Sequence, residues 1–157
     1  MNTVESFTVA QLLPHEGRML LLEEVLARTD DFIRTALTIR ADSVLCDGVA
    51  GVPAWVGMEY MAQTACAYCG VEEARAGRPA SVSLLLGSRS YTARVPVFPI
   101  GTRLIINADL LVRGDDNLVV FRCSIRDAAD DAELACGDIK AIRPTNLPEL
   151  IAEQLRG

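Results

Sequence analysis

Trp55-Val-Gly-Met-Glu59-Tyr-Met-Ala-Gln63-Thr-Ala-Cys66-Ala-Tyr-Cys69-Gly-Val71 is the stretch that decides the fold. It has helical length and is apolar on nearly every face. A helix of that kind belongs inside a core rather than on a surface. Its single formal charge is Glu59. A carboxylate in apolar surroundings is costly to ionise, and its pKa is expected to rise. Glu59 is therefore expected to have a partner or a task. The bland alternative is that it only favours the helix dipole at the N-terminus. Gln63 lies one turn later on the same face. These two residues are the starting point for function.

Upstream of the helix, Gly48, Gly51 and Pro53 punctuate a loop over 41–54. Before it, 32–40 alternates, with Ile33, Leu37 and Ile39 on one face and Arg34, Thr38 and Arg40 on the other. That pattern predicts a half-buried antiparallel strand. Residues 19–29 are apolar enough for a preceding strand. Thr8-Val-Ala-Gln11 reads as a capping box that opens a short helix over 9–13, ended by Pro14. His15-Glu-Gly-Arg18 follows as a loop and carries the only histidine of the chain.

Downstream, Gly77 and Pro79 stop the helix. Residues 81–93 predict one long strand, with Gly87 a bulge or close approach. Pro96 and Pro99 mark a loop. Residues 102–113 and 118–127 predict a hairpin across Gly114-Asp-Asp-Asn117. Residues 132–143 predict a last strand, and Asn146-Leu-Pro-Glu149 opens a short terminal amphipathic helix. Two strands, one apolar helix and then further antiparallel strands predict an α+β hotdog fold. In it, one long buried helix is wrapped by a curved antiparallel sheet, as a single domain over 1–157. An unpaired sheet edge predicts a dimer.

Bulk properties narrow the function. The chain has 157 residues, enough for one domain with a sizeable core. Half of it is hydrophobic, and its net charge is −6. An acidic surface argues against non-specific nucleic-acid binding. The first ten residues are polar and lack a basic start followed by an apolar run, so no signal peptide is expected. No uncharged apolar stretch is long enough to span a bilayer, so no membrane association is expected. Five cysteines, an odd number, predict reduced thiols in a cytoplasm. Cys66 and Cys69 form a C-x-x-C in mid-helix. There they read as packing residues, because a redox pair sits at a helix N-terminus. No cysteine or histidine spacing suggests zinc, and no cofactor is implied.

The residues resemble a known family. Pro53-Ala-Trp-Val-Gly-Met-Glu59-Tyr-Met61-Ala62-Gln63 is similar to the central-helix motif of 3-hydroxyacyl-[acyl-carrier-protein] dehydratases of the FabA/FabZ type. Leu13-Pro14-His15 and the run Leu20 to Val25 resemble their opening. Gly101-Thr-Arg-Leu104 resembles the start of a later strand. The wording of the central motif, together with Leu86-Gly-Ser-Arg-Ser-Tyr91, is most similar to the ApeP-like dehydratases of aryl polyene clusters. The resemblance implies an acyl-carrier-protein thioester as substrate. It also implies sites at an interface with a second copy or another hotdog subunit. The family's glutamate carries over to Glu59 and its glutamine to Gln63. Its catalytic histidine, which precedes the helix, falls at Leu45 and does not carry over.

Dehydration needs a base at C2, an acid for the 3-hydroxyl and donors for the thioester carbonyl. Glu59 fits the acid. His15 is the chain's own candidate base, expected within a few ångströms of Glu59 of its own or a neighbouring subunit. The amides of Val56 and Gly57, at the helix start, are candidates for the carbonyl. Met58, Met61 and Tyr91 are expected to line an acyl pocket. Two alternatives stay open: a hotdog thioesterase using the helix carboxylate without histidine, and a non-catalytic subunit of a dehydratase complex.

Overall fold

The computed structural model describes residues 6–80, 83–142 and 147–157. Its central element is helix α2, Gly57–Arg75, entered through a 3-10 turn at Ala54–Val56. From Tyr60 to Val71 almost every α2 residue is buried, as its apolar run predicts. The helix lies against an antiparallel sheet. The sheet comprises β1 (Glu24–Arg28), β2 (Phe32–Thr38), β4 (Leu84–Gly87), β5 (Tyr91–Ala93), β7 (Arg103–Arg113), β8 (Leu118–Asp127) and β9 (Glu133–Ile142). The order across it is β1-β2-β7-β8-β9-β4, with β5 also pairing with β9. A small second sheet joins β3 (Gly51–Pro53) to β6 (Val97–Pro99). Helices α1 (Val9–Leu12) and α3 (Leu147–Arg156) stand near the chain ends.

Period-2 patterning sets which strand faces meet α2. In β8, Val119, Phe121, Cys123 and Ile125 are buried, as alternation predicts. Phe121 meets Tyr68 of α2 edge-on, with ring centroids 5.2 Å apart. In β2, Ile33 and Leu37 point inward with Thr35 between them. The Thr35 hydroxyl is fully buried because it shares a 2.8 Å hydrogen bond with Thr64 of α2. Thr64 in turn donates to the Tyr60 carbonyl. Both polar groups are thereby satisfied within the core.

Three expectations differ from the structure. The first strand does not start at Met19. Residues Gly17–Met19 form a 3-10 turn, and ladder pairing begins only at Glu24. A side chain of α2, described below, satisfies the backbone in between. The single strand expected over 81–93 is two strands, β4 and β5, on the same neighbour; residues 81 and 82 lie outside the described part. Gly87, at φ 149°, takes a conformation that side chains rarely adopt, and the register shifts there. The Ser90 carbonyl then accepts from the Asp138 amide where Gly137 leaves room. The loops expected over 41–54 and at Pro96–Pro99 contain β3 and β6, which pair with each other. The Asn146 cap and Arg143 lie outside the described residues.

The capping box of α1 is present, with Thr8 and Gln11 bonding each other's backbone. Helix α1 rests directly on Gly70 of α2. A Cβ there would meet the Leu12 backbone, with its carbonyl carbon at 2.9 Å and its Cα at 3.0 Å. Gly70→Ala is therefore expected to push α1 away and to destabilise the protein by about 1–3 kcal/mol. Chemical denaturation would show this as a lower midpoint at unchanged slope.

Candidate functional site

Glu59 stands in the first turn of α2 and Gln63 one turn later, so helical spacing alone sets them side by side. Gln63 is 1% exposed and all its bonds are internal. Its Nε2 donates to the Glu59 carboxylate at 3.1 Å and to the Met19 carbonyl at 2.8 Å. Its Oε1 accepts from the Leu21 amide at 3.0 Å. Gln63 thus acts as a strand neighbour for 19–21, which explains why that segment needs no ladder. It also ties the loop carrying His15 to the helix carrying Glu59.

The result is a His15 Nε2 to Glu59 Oε1 separation of 3.8 Å within one chain. The two side chains are 27% and 42% exposed. Glu59 is therefore not sealed in apolar surroundings, contrary to the expectation from its helix. It sits at the rim, where solvent and a ligand both reach it. His15 Nδ1 is buried and has no hydrogen-bond partner among the described residues, so Nε2 is the atom available for chemistry.

Beside the pair is a cavity of about 160 Å³ that runs along α2 from Glu59 to Cys69. Its helix wall is Ala62, Ala65, Cys66 and Cys69, and Ile139 and Ala141 face them from β9. Met58, Met61 and Tyr91 do not line it. Met61 is fully buried in the core, and Met58 is half-buried against it. The reason is helical phase. Met61 is two residues from both Glu59 and Gln63, about 200° around the helix. Tyr91 has a different task. Its hydroxyl donates to the Ala54 carbonyl in the turn before α2. Burial pushes that phenol up to about 12, so it remains a donor.

The helix start also departs from expectation. The Gly57 amide donates back to the carbonyls of Ala54 and Trp55, so it is already engaged. Val56 is buried beside it. Gly57 has no room for a side chain, because a Cβ would collide with the Tyr91 hydroxyl and lie 2.8 Å from Ile125 Cδ1. Leu45, at the family's histidine position, is exposed and left-handed at φ 64°. Its loop is folded around Asp47, whose carboxylate accepts from the amides of Val49, Ala50 and Gly51 at 2.8, 2.8 and 3.1 Å. These backbone donors lower the Asp47 pKa. Among the described residues, no group of three or more His, Cys, Asp or Glu could hold a metal, and no helix is long and apolar enough to cross a membrane.

A family model described as ApeP-like, ApeP dehydratase, matches residues 7–152. The chain belongs to the ApeP-like dehydratase family. This ApeP-like protein is similar to a chain of the dehydratase heterocomplex ApeI:P from Xenorhabdus doucetiae, at 30% identity and a TM-score of 0.81. The match covers 94% of this chain and 99% of that one. More distant solved structures share the hotdog fold. AziG of S. sahachiroi is 18% identical, with a TM-score of 0.59, over 78% of this chain and 90% of that one. Zebra fish thioesterase superfamily member 2 is 15% identical, with a TM-score of 0.61, over 82% and 86%. A comparison with curated proteins finds no match.

In this ApeP-like chain, sequence reasoning missed the inner cavity wall. Cys66 and Cys69 read as plain core cysteines; both are buried, yet both face the cavity. Their spacing from Glu59 contained the signal, since 59, 62, 66 and 69 follow one helical stripe. Gln63 offers a direct test of the linkage it makes. Gln63→Leu keeps the volume but leaves the part-buried Leu21 amide and Met19 carbonyl without their side-chain partner. A loss of about 2 kcal/mol is expected, read by urea denaturation. Turnover should fall further than stability explains, because Glu59 and the His15 loop lose their common anchor.

Proposed function

We propose that this chain dehydrates a 3-hydroxyacyl thioester carried by an acyl carrier protein, with His15 and Glu59 as base and acid. One observation carries the reading: His15 Nε2 lies 3.8 Å from Glu59 Oε1 at the mouth of an apolar cavity. Acid and base must flank one three-carbon unit, and this spacing leaves both within reach of it. His15 Nε2 takes the C2 proton, and its electron pair forms the C2–C3 double bond. The C3–O bond breaks as Glu59 protonates the departing hydroxyl, releasing water. His15 then returns its proton to Glu59, which restores the pair. Gln63 holds the Glu59 carboxylate throughout. The thioester carbonyl is assigned to the start of α2, because that end carries positive partial charge.

The acyl chain runs inward along α2. The protein works beside a second hotdog subunit, either another copy or a different chain, in a cytoplasm that keeps thiols reduced. The deciding experiment gives the purified protein 3-hydroxyacyl thioesters and follows mass. Loss of water from an intact thioester supports dehydration. Release of free acid and thiol marks a thioesterase instead. No turnover, alone or with a hotdog partner, marks a non-catalytic subunit.

A further inference from the structure

The cavity has two different ends. Pro14 and His15 line both the cavity and a broad open groove on the surface, so the mouth is at the catalytic pair. At the other end, nearly three helical turns from Glu59, Cys69 and Val119 stand between the cavity and a separate, solvent-open pocket of about 80 Å³. That pocket is lined by Glu72, Arg113 and Asn117. Arg113 donates to Glu72 at 2.8 Å across it. The first compartment is apolar and the second holds an ion pair, with two buried side chains as the partition.

We infer that Cys69 and Val119 are the residues that set the acyl chain length this protein accepts; the inference rests on the dehydratase reading above. The cavity has a volume of about 160 Å³, many times the ~10–15 Å³ that one water requires. Each methylene buried there improves affinity about fourfold. The gain stops at the wall. A longer alkyl tail would have to displace Cys69 or Val119 and enter a solvent-open pocket edged by the Glu72–Arg113 ion pair, where little apolar surface is left to bury it.

The test measures kcat/KM of the full protein, in the assembly in which it is active, across 3-hydroxyacyl pantetheine thioesters from short to long. Affinity for the corresponding saturated acyl thioesters is measured in parallel in a Glu59→Gln background. Cys69→Phe moves the wall toward the mouth. It is expected to cost the longest accepted chains about tenfold or more while leaving the shortest unchanged. Val119→Phe does the same from the sheet side, so a fold defect in one variant does not remove the test. Cys69→Ala joins the two compartments and moves the optimum to longer chains. An unchanged length profile in both Phe variants, or equal losses at every length, overturns the inference. A shifted affinity profile without water loss by any form supports the wall and overturns the dehydratase reading. Water loss with an unshifted profile does the reverse.

Discussion

Glu59→Gln is expected to fold like the wild type and to lose turnover by roughly 10²–10⁴-fold, the usual contribution of a positioned acid or base. The substitution keeps shape and removes only the transferable proton. Folding should survive because Glu59 is partly exposed and its structural bond, from Gln63 Nε2, has an amide oxygen as substitute acceptor. The core contacts of α2 lie on other faces of the helix. Turnover should not survive, because an amide has no proton to give the departing hydroxyl. The check is mass-detected water loss beside a thermal melt. A variant that keeps near wild-type turnover sinks the acid role. A variant that melts early without residual activity would instead make Glu59 structural.

His15→Ala should abolish turnover on a similar scale and also change its pH dependence. A base must be neutral to accept the C2 proton. With wild-type protein, kcat/KM is expected to show a rising limb and then a falling one, because the reaction needs a neutral base and a protonated acid. His15→Ala should remove the rising limb along with the rate. His15 is the only histidine of the chain, so no other imidazole can replace it. Its Nδ1 is buried and unpartnered among the described residues, and its Nε2 faces Glu59. The variant therefore removes the imidazole that reaches Glu59 and leaves the Gln63 bonds to 19–21 in place. Full turnover in His15→Ala, or a rising limb that persists in it, would place the base on a partner chain.

How much of this was legible in the chain follows from the range of each interaction. Local periodicity determined α2, β8 and the inward residues of β2, because the α-helical and strand repeats are properties of neighbours in sequence. It also determined the Glu59–Gln63 pair, which is one helical turn apart. The family motif around Glu59 was legible for the same reason. Other features depend on contacts between distant segments, and only the tertiary structure decided them. Gln63 of α2 bonds the backbone of 19–21, so an apolar run that predicts a strand is held as extended chain and turn instead. The same bonds carry His15 to Glu59. Pairing of β3 with β6 turns a proline-marked loop into a strand. Met61 and Tyr91, expected to line an acyl pocket, face the core and the Ala54 turn, while Cys66 and Cys69 face the cavity. Sequence specifies which residues share a helical stripe; which stripe meets the sheet and which is left beside a void is set by the packing of β8 and β9 against α2.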